Sequence, residues 1–338
     1  MDLASYKSFT TSRHLTYSYF VGLPIEEQGV LEPPLPGVLF IHGFPTSSRV
    51  WKHQVKHFQE CGFAVLAVDL LGFGSSSKPC NPEEYRASLI CKDVIELLDH
   101  EGFGDGQVIA VGHDLLSSSG STIVARLANF YPRRCCSYAF VADPYRPPRP
   151  KKTLQYTLWV TKRFAGYELC GHSLFYADPS SEKLINFHLD SFLSLIFASD
   201  PKLWCTDLAP VGALESWVRR DRTTELAKYV SPEDLQLWRS SLSEGGIAAA
   251  LCYYKAFIQG LTGEDDQLIP IDKYRLEKPA FLATAKHDYV SPALLAIETM
   301  KNDCNNLTIR EFYEGHWIMM ASPAKLNEAL YSWIMDHI

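Results

Sequence analysis

Three residues of this 338-residue chain have the types and order for nucleophilic attack followed by hydrolysis: Asp114, Asp288 and His316. Asp114 stands in "AVGHDLLSSSG", at the corner between an apolar strand-like run and a helical stretch opened by small residues. Such an elbow is tight, and Gly112 supplies a small residue to it. The residue at its tip projects into the site, and the next amide N–H points at the same space. A carboxylate there can attack an electrophilic carbon and form an ester with the chain. His316, in "YEGHWIMMASP", follows the last strand by a short loop and can activate water against that ester. Asp288, in "LATAKHDYVSP", lies 28 residues earlier at the end of the preceding strand, where it can hold the imidazole and stabilise its cation. In "FIHGFPTSS" the main-chain N–H of Phe44 can converge with that of Leu115 as an oxyanion hole. Each piece alone has a plainer reading: helix caps for the two aspartates, a tight turn for the His-Gly-x-Pro, a core histidine for His316. All four fall at strand ends in the order nucleophile, acid, histidine, and that coincidence selects the catalytic reading.

The elements that must position them follow from the apolar pattern. Short apolar runs alternate with longer amphipathic ones, as in a parallel sheet covered by helices. The strand candidates are "LTYSYFVG", "GVLFIHG", "AVLAVDLLG", "QVIAVGHD", "SYAFVADP", "PAFLATAKHD" and "LTIREFYEG". Helical stretches are expected over 50–61, 82–101, 121–131, 292–301 and 323–336. Polar and glycine residues cluster at the carboxyl ends of the strands, the edge where open α/β sheets bind ligands. The alternation breaks between Asp143 and Pro270, an interval that opens with "DPYRPPRPKK" and holds four of the seven tryptophans. The expected organisation is therefore a core over 1–143 and 270–338 with a helical cap over 144–269.

Composition narrows the partners. Acidic and basic residues, 39 against 32, are scattered, and the absence of a basic stripe argues against nucleic acid. No window has the ~18 consecutive apolar residues of a membrane span. No signal-peptide, targeting or lipidation pattern is present, so a cytoplasmic protein is expected. Nine cysteines without regular spacing read as free thiols of a reducing compartment. The constellation needs no cofactor and no metal. Oligomeric state is not written in the sequence.

The motifs "HGFP", "DLLGFGSSSKP", "VGHD", "TAKHD" and "GHW" resemble those of α/β-hydrolase-fold epoxide hydrolases, with haloalkane and fluoroacetate dehalogenases as near relatives. The resemblance covers about residues 15–143 and 270–338 and is weaker between them. It implies an α/β-hydrolase fold, a mostly parallel central sheet flanked by helices with an inserted helical cap. It also implies Asp114 as nucleophile, His316 as base and Asp288 as its acid, acting on a small hydrophobic epoxide. "ARLANFYP" and the proline-rich start of the cap are similar to fungal members, which often serve secondary metabolism. Asp143, after "SYAFVA", sits where some relatives carry the acid; loop position and spacing to His316 favour Asp288.

Two departures matter. The family usually has tryptophan and glycine after the nucleophile, and here Leu115 and Leu116 stand there. Leu116 puts close helix packing at the elbow in question. Leu115 offers no N–H to a leaving halide, which demotes dehalogenation. Epoxide opening instead needs a donor above Asp114, and the family uses two cap tyrosines. Tyr254 matches one, with Tyr253 beside it; His172 aligns with the other, and Tyr176 is a possible substitute. Protonation of His172 would add a pH dependence near neutrality. Tyr253, Tyr176 and Trp317 are candidate substrate contacts. The alternatives are a hydrolytic dehalogenase, a cyclase steering an internal hydroxyl onto an epoxide, and a degenerate homologue that only binds a hydrophobic ligand.

Overall fold

The computed structural model describes residues 1, 5–24, 35–114, 120–150 and 153–338. Its centre is an eight-stranded sheet in the order β1-β2-β4-β3-β5-β6-β7-β8. The strands are β1 (Tyr6–Thr10), β2 (Thr16–Gly22), β3 (Gly37–Ile41), β4 (Val65–Val68), β5 (Val108–His113), β6 (Cys135–Val141), β7 (Ala280–Ala285) and β8 (Leu307–Phe312). The pairs β1–β2 and β2–β4 are antiparallel and the rest are parallel. β3, β4, β5 and β7 are buried along their whole length, as expected of strands covered by helices on both faces. All seven expected strands are present. β1, "YKSFT", was not expected: its side chains are exposed or half-exposed on both faces, so it carries no apolar alternation to read.

Helices α1 (Lys52–Glu60), α2 (Ala87–His100) and α3 (Gly120–Phe130) connect the first strands. The interval between β6 and β7 then runs through α4 (Leu154–Ala165), α5 (His172–Ala177), α6 (Ser181–Phe187), α7 (Leu189–Ile196), α8 (Ala213–Arg219), α9 (Pro232–Ser241), α10 (Ile247–Ala250), α11 (Cys252–Ile258) and α12 (Leu261–Gln267). An isolated bridge between Ala198 and Leu226 is the extended pairing within this interval among the described residues. α13 (Ala293–Asp303), α14 (Ile318–Ala321) and α15 (Pro323–Met335) complete the chain. None of the described helices is long and apolar enough to cross a membrane.

The strand order reverses between β3 and β5. From β3 the chain steps to β4 on one side, then crosses back to β5 on the other, which opens a crevice beyond their carboxyl ends. Phe44 follows β3 and Asp114 follows β5, so both border that crevice. α3 leaves it at very close range. A methyl group on Gly112 would lie 2.5 Å from the Gly120 carbonyl oxygen, and one on Gly120 would lie 2.3 Å from that of Ile41. The close approach questioned at Leu116 is thus met at Gly120; Leu116 itself lies outside the described residues. Gly112→Ala should therefore push α3 off the sheet and cost about 1–3 kcal/mol, the range for overpacking a filled core. A fall in the urea midpoint measures it, and an unchanged midpoint would remove the packing argument.

Candidate active site

The elbow is strained where the carboxylate sits. Asp114 adopts φ +66°, a left-handed conformation that costs a non-glycine residue energy and persists only when its surroundings enforce it. The enforcement is visible: the Asp114 carbonyl accepts from the Ser121 amide at 2.8 Å, at the start of α3. The Phe44 amide donates to Asp114 Oδ2 at 3.1 Å. Leu115, the expected second amide, lies outside the described residues. The Phe44 loop is itself anchored by His42, whose Nδ1 pairs with the Gly43 carbonyl at 2.9 Å while Nε2 accepts from the Leu70 amide at 3.0 Å. Burial lowers the His42 pKa to about 4 and keeps the ring neutral, as this tautomer requires.

His316 and Asp288 meet as the spacing suggested. His316 Nδ1 lies 2.7 Å from Asp288 Oδ2, and Asp288 Oδ1 accepts the Val290 and Ser291 amides at 2.9 Å each. With Nδ1–H committed to Asp288, Nε2 faces Asp114 Oδ1 at 3.9 Å, too far for a direct hydrogen bond. His113, buried and held neutral by burial and by the nearby His316 charge, places Nε2 3.2 Å from the His316 carbonyl. It ties the end of β5 to the His316 backbone. Nothing in the spacing of "VGHD" sets His113 apart from the strand that carries Asp114.

Electrostatics favour a cation at the centre. Burial disfavours the imidazolium of His316, but Asp288, its hydrogen bond, Asp114 and Asp143 outweigh burial and lift the pKa to about 9. Asp143 is buried behind the pair. Burial pushes its pKa up, against the pull of His316 and with the push of Asp288 and Asp114, to about 7. Asp288 makes the hydrogen bond to Nδ1, whereas Asp143 contributes through its field. Asp114, Asp143 and His316 offer ligand atoms within 4.8 Å of one another, close enough to share a cation. The imidazolium already supplies one positive charge there.

A pocket opens above Asp114 and His316. Its other polar lining residues are His172, Tyr176 and Tyr254; Phe44, Ile196, Leu208 and Val290, with Trp204 and Trp317, form the apolar part. His172 and Tyr176 stand four residues apart on α5 and so share a face. Tyr254 comes from α11, its ring centroid 4.5 Å from that of Tyr176 and 5.3 Å from that of Phe44. Tyr253 is not in the pocket: it packs on Phe73 and Tyr85, at 5.9 and 4.7 Å. Neighbouring helical residues point about 100° apart, so both tyrosines cannot face one cavity. Burial and the nearby His316 charge lower the His172 pKa to about 3. The titration near neutrality expected of His172 is therefore replaced by a ring neutral throughout that range. Trp204, one of the four tryptophans between Asp143 and Pro270, lies with its ring tilted 52° to that of His316 at 5.3 Å between centroids. The indole N–H groups of Trp204 and Trp317 go to the carbonyls of Leu195 and Ile196, at 2.8 and 3.1 Å.

The family described as alpha/beta hydrolase fold matches residues 36–166. Bifunctional epoxide hydrolase 2 of Sus scrofa is 28% identical over 307 residues, which cover 88% of this chain and 51% of that protein. The chain thus spans about half the length of that relative, and the same holds for its mouse and rat counterparts. Epoxide hydrolase srdG of Neurospora crassa is 24% identical over 337 residues, with 97% of this chain and 94% of that protein covered. Among solved structures, an epoxide hydrolase from an endophytic Streptomyces superposes with a TM-score of 0.79 at 22% identity, over 98% of this chain and 95% of that one. Epoxide hydrolase VrEH1 from Vigna radiata gives 0.74 at 20% identity, over 99% of each. These structural matches concern the fold. By sheet order, sequence match and superposition, the chain has the α/β-hydrolase fold, and the relatives it resembles along most of its length are named epoxide hydrolases.

Proposed function

We propose that this chain hydrolyses an epoxide to a vicinal diol through an ester on Asp114. The observation that carries the reading is the continuous line from Asp288 through His316 to Asp114, with the Phe44 amide on the far oxygen of the nucleophile. Asp114 Oδ1 attacks an epoxide carbon, the C–O bond of the ring breaks, and the ring oxygen takes a proton from a donor in the roof. Oδ2 becomes the ester carbonyl, already held by Phe44. The 3.9 Å between Nε2 and Oδ1 suits a water between base and ester. His316 takes a proton from that water as it attacks Cγ, and the tetrahedral oxyanion develops on Oδ2, where the Phe44 N–H stabilises it. Collapse releases the diol and regenerates the Asp114 carboxylate. The proton that His316 sheds once Asp114 is esterified makes good the one given by the roof donor, and the proton taken from water restores the imidazolium, so the cycle closes with no net proton change.

Alkylation itself prepares the base. Before reaction the Asp114 charge helps hold His316 as a cation; the ester is neutral, so that support disappears and the His316 pKa falls from about 9. The reading over dehalogenation rests on the two pocket indoles, whose N–H groups are already spent on carbonyls and cannot hold a leaving halide. Tyr254 and Tyr176 are the donors suited to the developing alkoxide. His172 is neutral and can donate from one ring nitrogen; its Nδ1 is buried without a hydrogen-bond partner among the described residues.

His316→Ala should accumulate a covalent adduct. Intact-protein mass spectrometry after mixing with an epoxide should show the whole substrate mass added, mapped by digestion to Asp114. Normal turnover by Asp114→Ala would overturn the mechanism.

The two half-reactions should part company with pH. Hydrolysis needs neutral His316, so its single-turnover rate should rise with pH and level off below pH 9, a rise that alkylation, which does not use that base, should not share. Coincident profiles in rapid-quench measurements would contradict this assignment of the base.

Tyr254→Phe removes one donor and should slow alkylation on the order of a hundredfold, with little change in binding of an apolar substrate. A variant that alkylates at the wild-type rate would leave Tyr254 as pocket wall and move the role to Tyr176.

A further inference from the structure

Between Asp143 and Glu168 the chain carries six basic residues, Arg146, Arg149, Lys151, Lys152, Lys162 and Arg163, and no acidic one; Arg146 faces buried Asp143, and Lys162 and Arg163 lie on the helix that follows. The whole chain has a net charge of -7, so this stretch runs against the rest. Its helix, α4, buries only Leu154. Tyr156, Trp159 and Phe164 are 58%, 59% and 54% exposed, an unusual concentration of large apolar surface on three turns of helix. Positions 156, 159 and 163 follow a three- and four-residue spacing, so Tyr156, Trp159 and Arg163 form one outward stripe. Their rings and charge touch in succession: Tyr156 and Trp159 lie 6.2 Å apart, and the Arg163 guanidinium sits 5.5 Å from the Trp159 ring. Lys162 pairs with Glu168 at 2.8 Å, on the edge of the stripe.

We propose that the exposed face of α4 docks on an anionic lipid surface. Tyrosine and tryptophan each present an apolar body with a polar tip, which suits the boundary between headgroups and acyl chains. Flanking arginine and lysine add attraction to anionic lipid that acts over short range, so a local basic stretch suffices on an acidic protein. A second copy of the chain fits this face less well. An isologous contact uses the same patch on both copies, and this one carries Lys162 and Arg163 with no acidic residue between Asp143 and Glu168, so it would set two basic patches against each other. The docking is peripheral, since no described helix is long and apolar enough to span a bilayer. It also has a position relative to the pocket. Just past α4, the Tyr167 hydroxyl donates to the Tyr289 carbonyl at 2.8 Å, and the next residue, Val290, lines the pocket. A lipid surface against α4 therefore lies beside one wall of the site.

The test is co-sedimentation of the full chain with phosphatidylcholine vesicles, with and without phosphatidylserine, at low and high salt. The expected result is pelleting that requires phosphatidylserine and is released by salt, with a blue shift of tryptophan emission that Trp159→Phe diminishes. Two variants, Tyr156→Ser/Trp159→Ser/Phe164→Ser and Lys162→Glu/Arg163→Glu, should each weaken vesicle binding by roughly tenfold or more. Both change exposed side chains, and the charge pair keeps the test decisive if the serine variant does not fold. Absence of phosphatidylserine-dependent pelleting, or pelleting unchanged in the charge variant, overturns the proposal. A concentration-dependent dimer in sedimentation velocity that the charge variant abolishes also overturns it, assigning the face to a second copy.

Discussion

One imidazole and three carboxylates share a buried space, and much of the surrounding architecture serves to make that bearable. Asp114, Asp143 and Asp288 all raise the pKa of His316, and the cation that results offsets part of their charge. Taking such charges out of water costs several kcal/mol each unless hydrogen bonds replace the hydration. Asp288 receives two amides and an imidazole; Asp114 receives the Phe44 amide; Asp143 is pushed toward its neutral form. All of these donors sit in loops at the carboxyl edge of the sheet. Parallel strands deliver successive loops to that one edge, which is why residues separated by two hundred positions converge.

Crowding the same few ångströms with carboxylates also divides the work. A group whose charge disappears during reaction changes the affinity of its neighbours for protons. In the mechanism we propose, forming the Asp114 ester would remove one of the fields that hold the proton on His316, so the first step would make the reagent for the second. No movement of the backbone is required, only a change in charge.

The core was legible because it obeys simple periodicities. Fully buried strands appear as short apolar runs, and their ends are marked by glycine, histidine and aspartate in "HGFP", "VGHD" and "TAKHD". β1 escaped because an edge strand wetted on both faces has no pattern to show. The pocket was harder. Tyr253 and Tyr254 are adjacent in sequence, yet helix geometry sends one into the pocket and the other against Tyr85. His172 and Tyr176, four apart, share a face; the spacing was there, but a lone short helix gives no sign of which face is inward. Trp204 contacts His316 from an interval whose packing depends on long-range contacts, and nothing local in "KLWCTDL" marks it. His172 illustrates a further limit: the residue type allowed a cation, and only its burial determined that it stays neutral.

Phe44 carries a less obvious burden. Its amide holds the Asp114 carboxylate, while its ring meets Tyr176 at 4.9 Å, Tyr254 at 5.3 Å and Phe192 at 6.2 Å. Floor and roof of the pocket thus meet on a single side chain. Reshaping the cavity at this point would disturb the amide that holds Asp114 as well, so selection for new substrates has little freedom here. Ile196 and Leu208 line the same space from the aliphatic side, whereas Val290 shares the constraint of Phe44, since its amide donates to Asp288. Divergence in substrate range within this lineage should therefore accumulate on the aliphatic wall and leave the aromatic one in place.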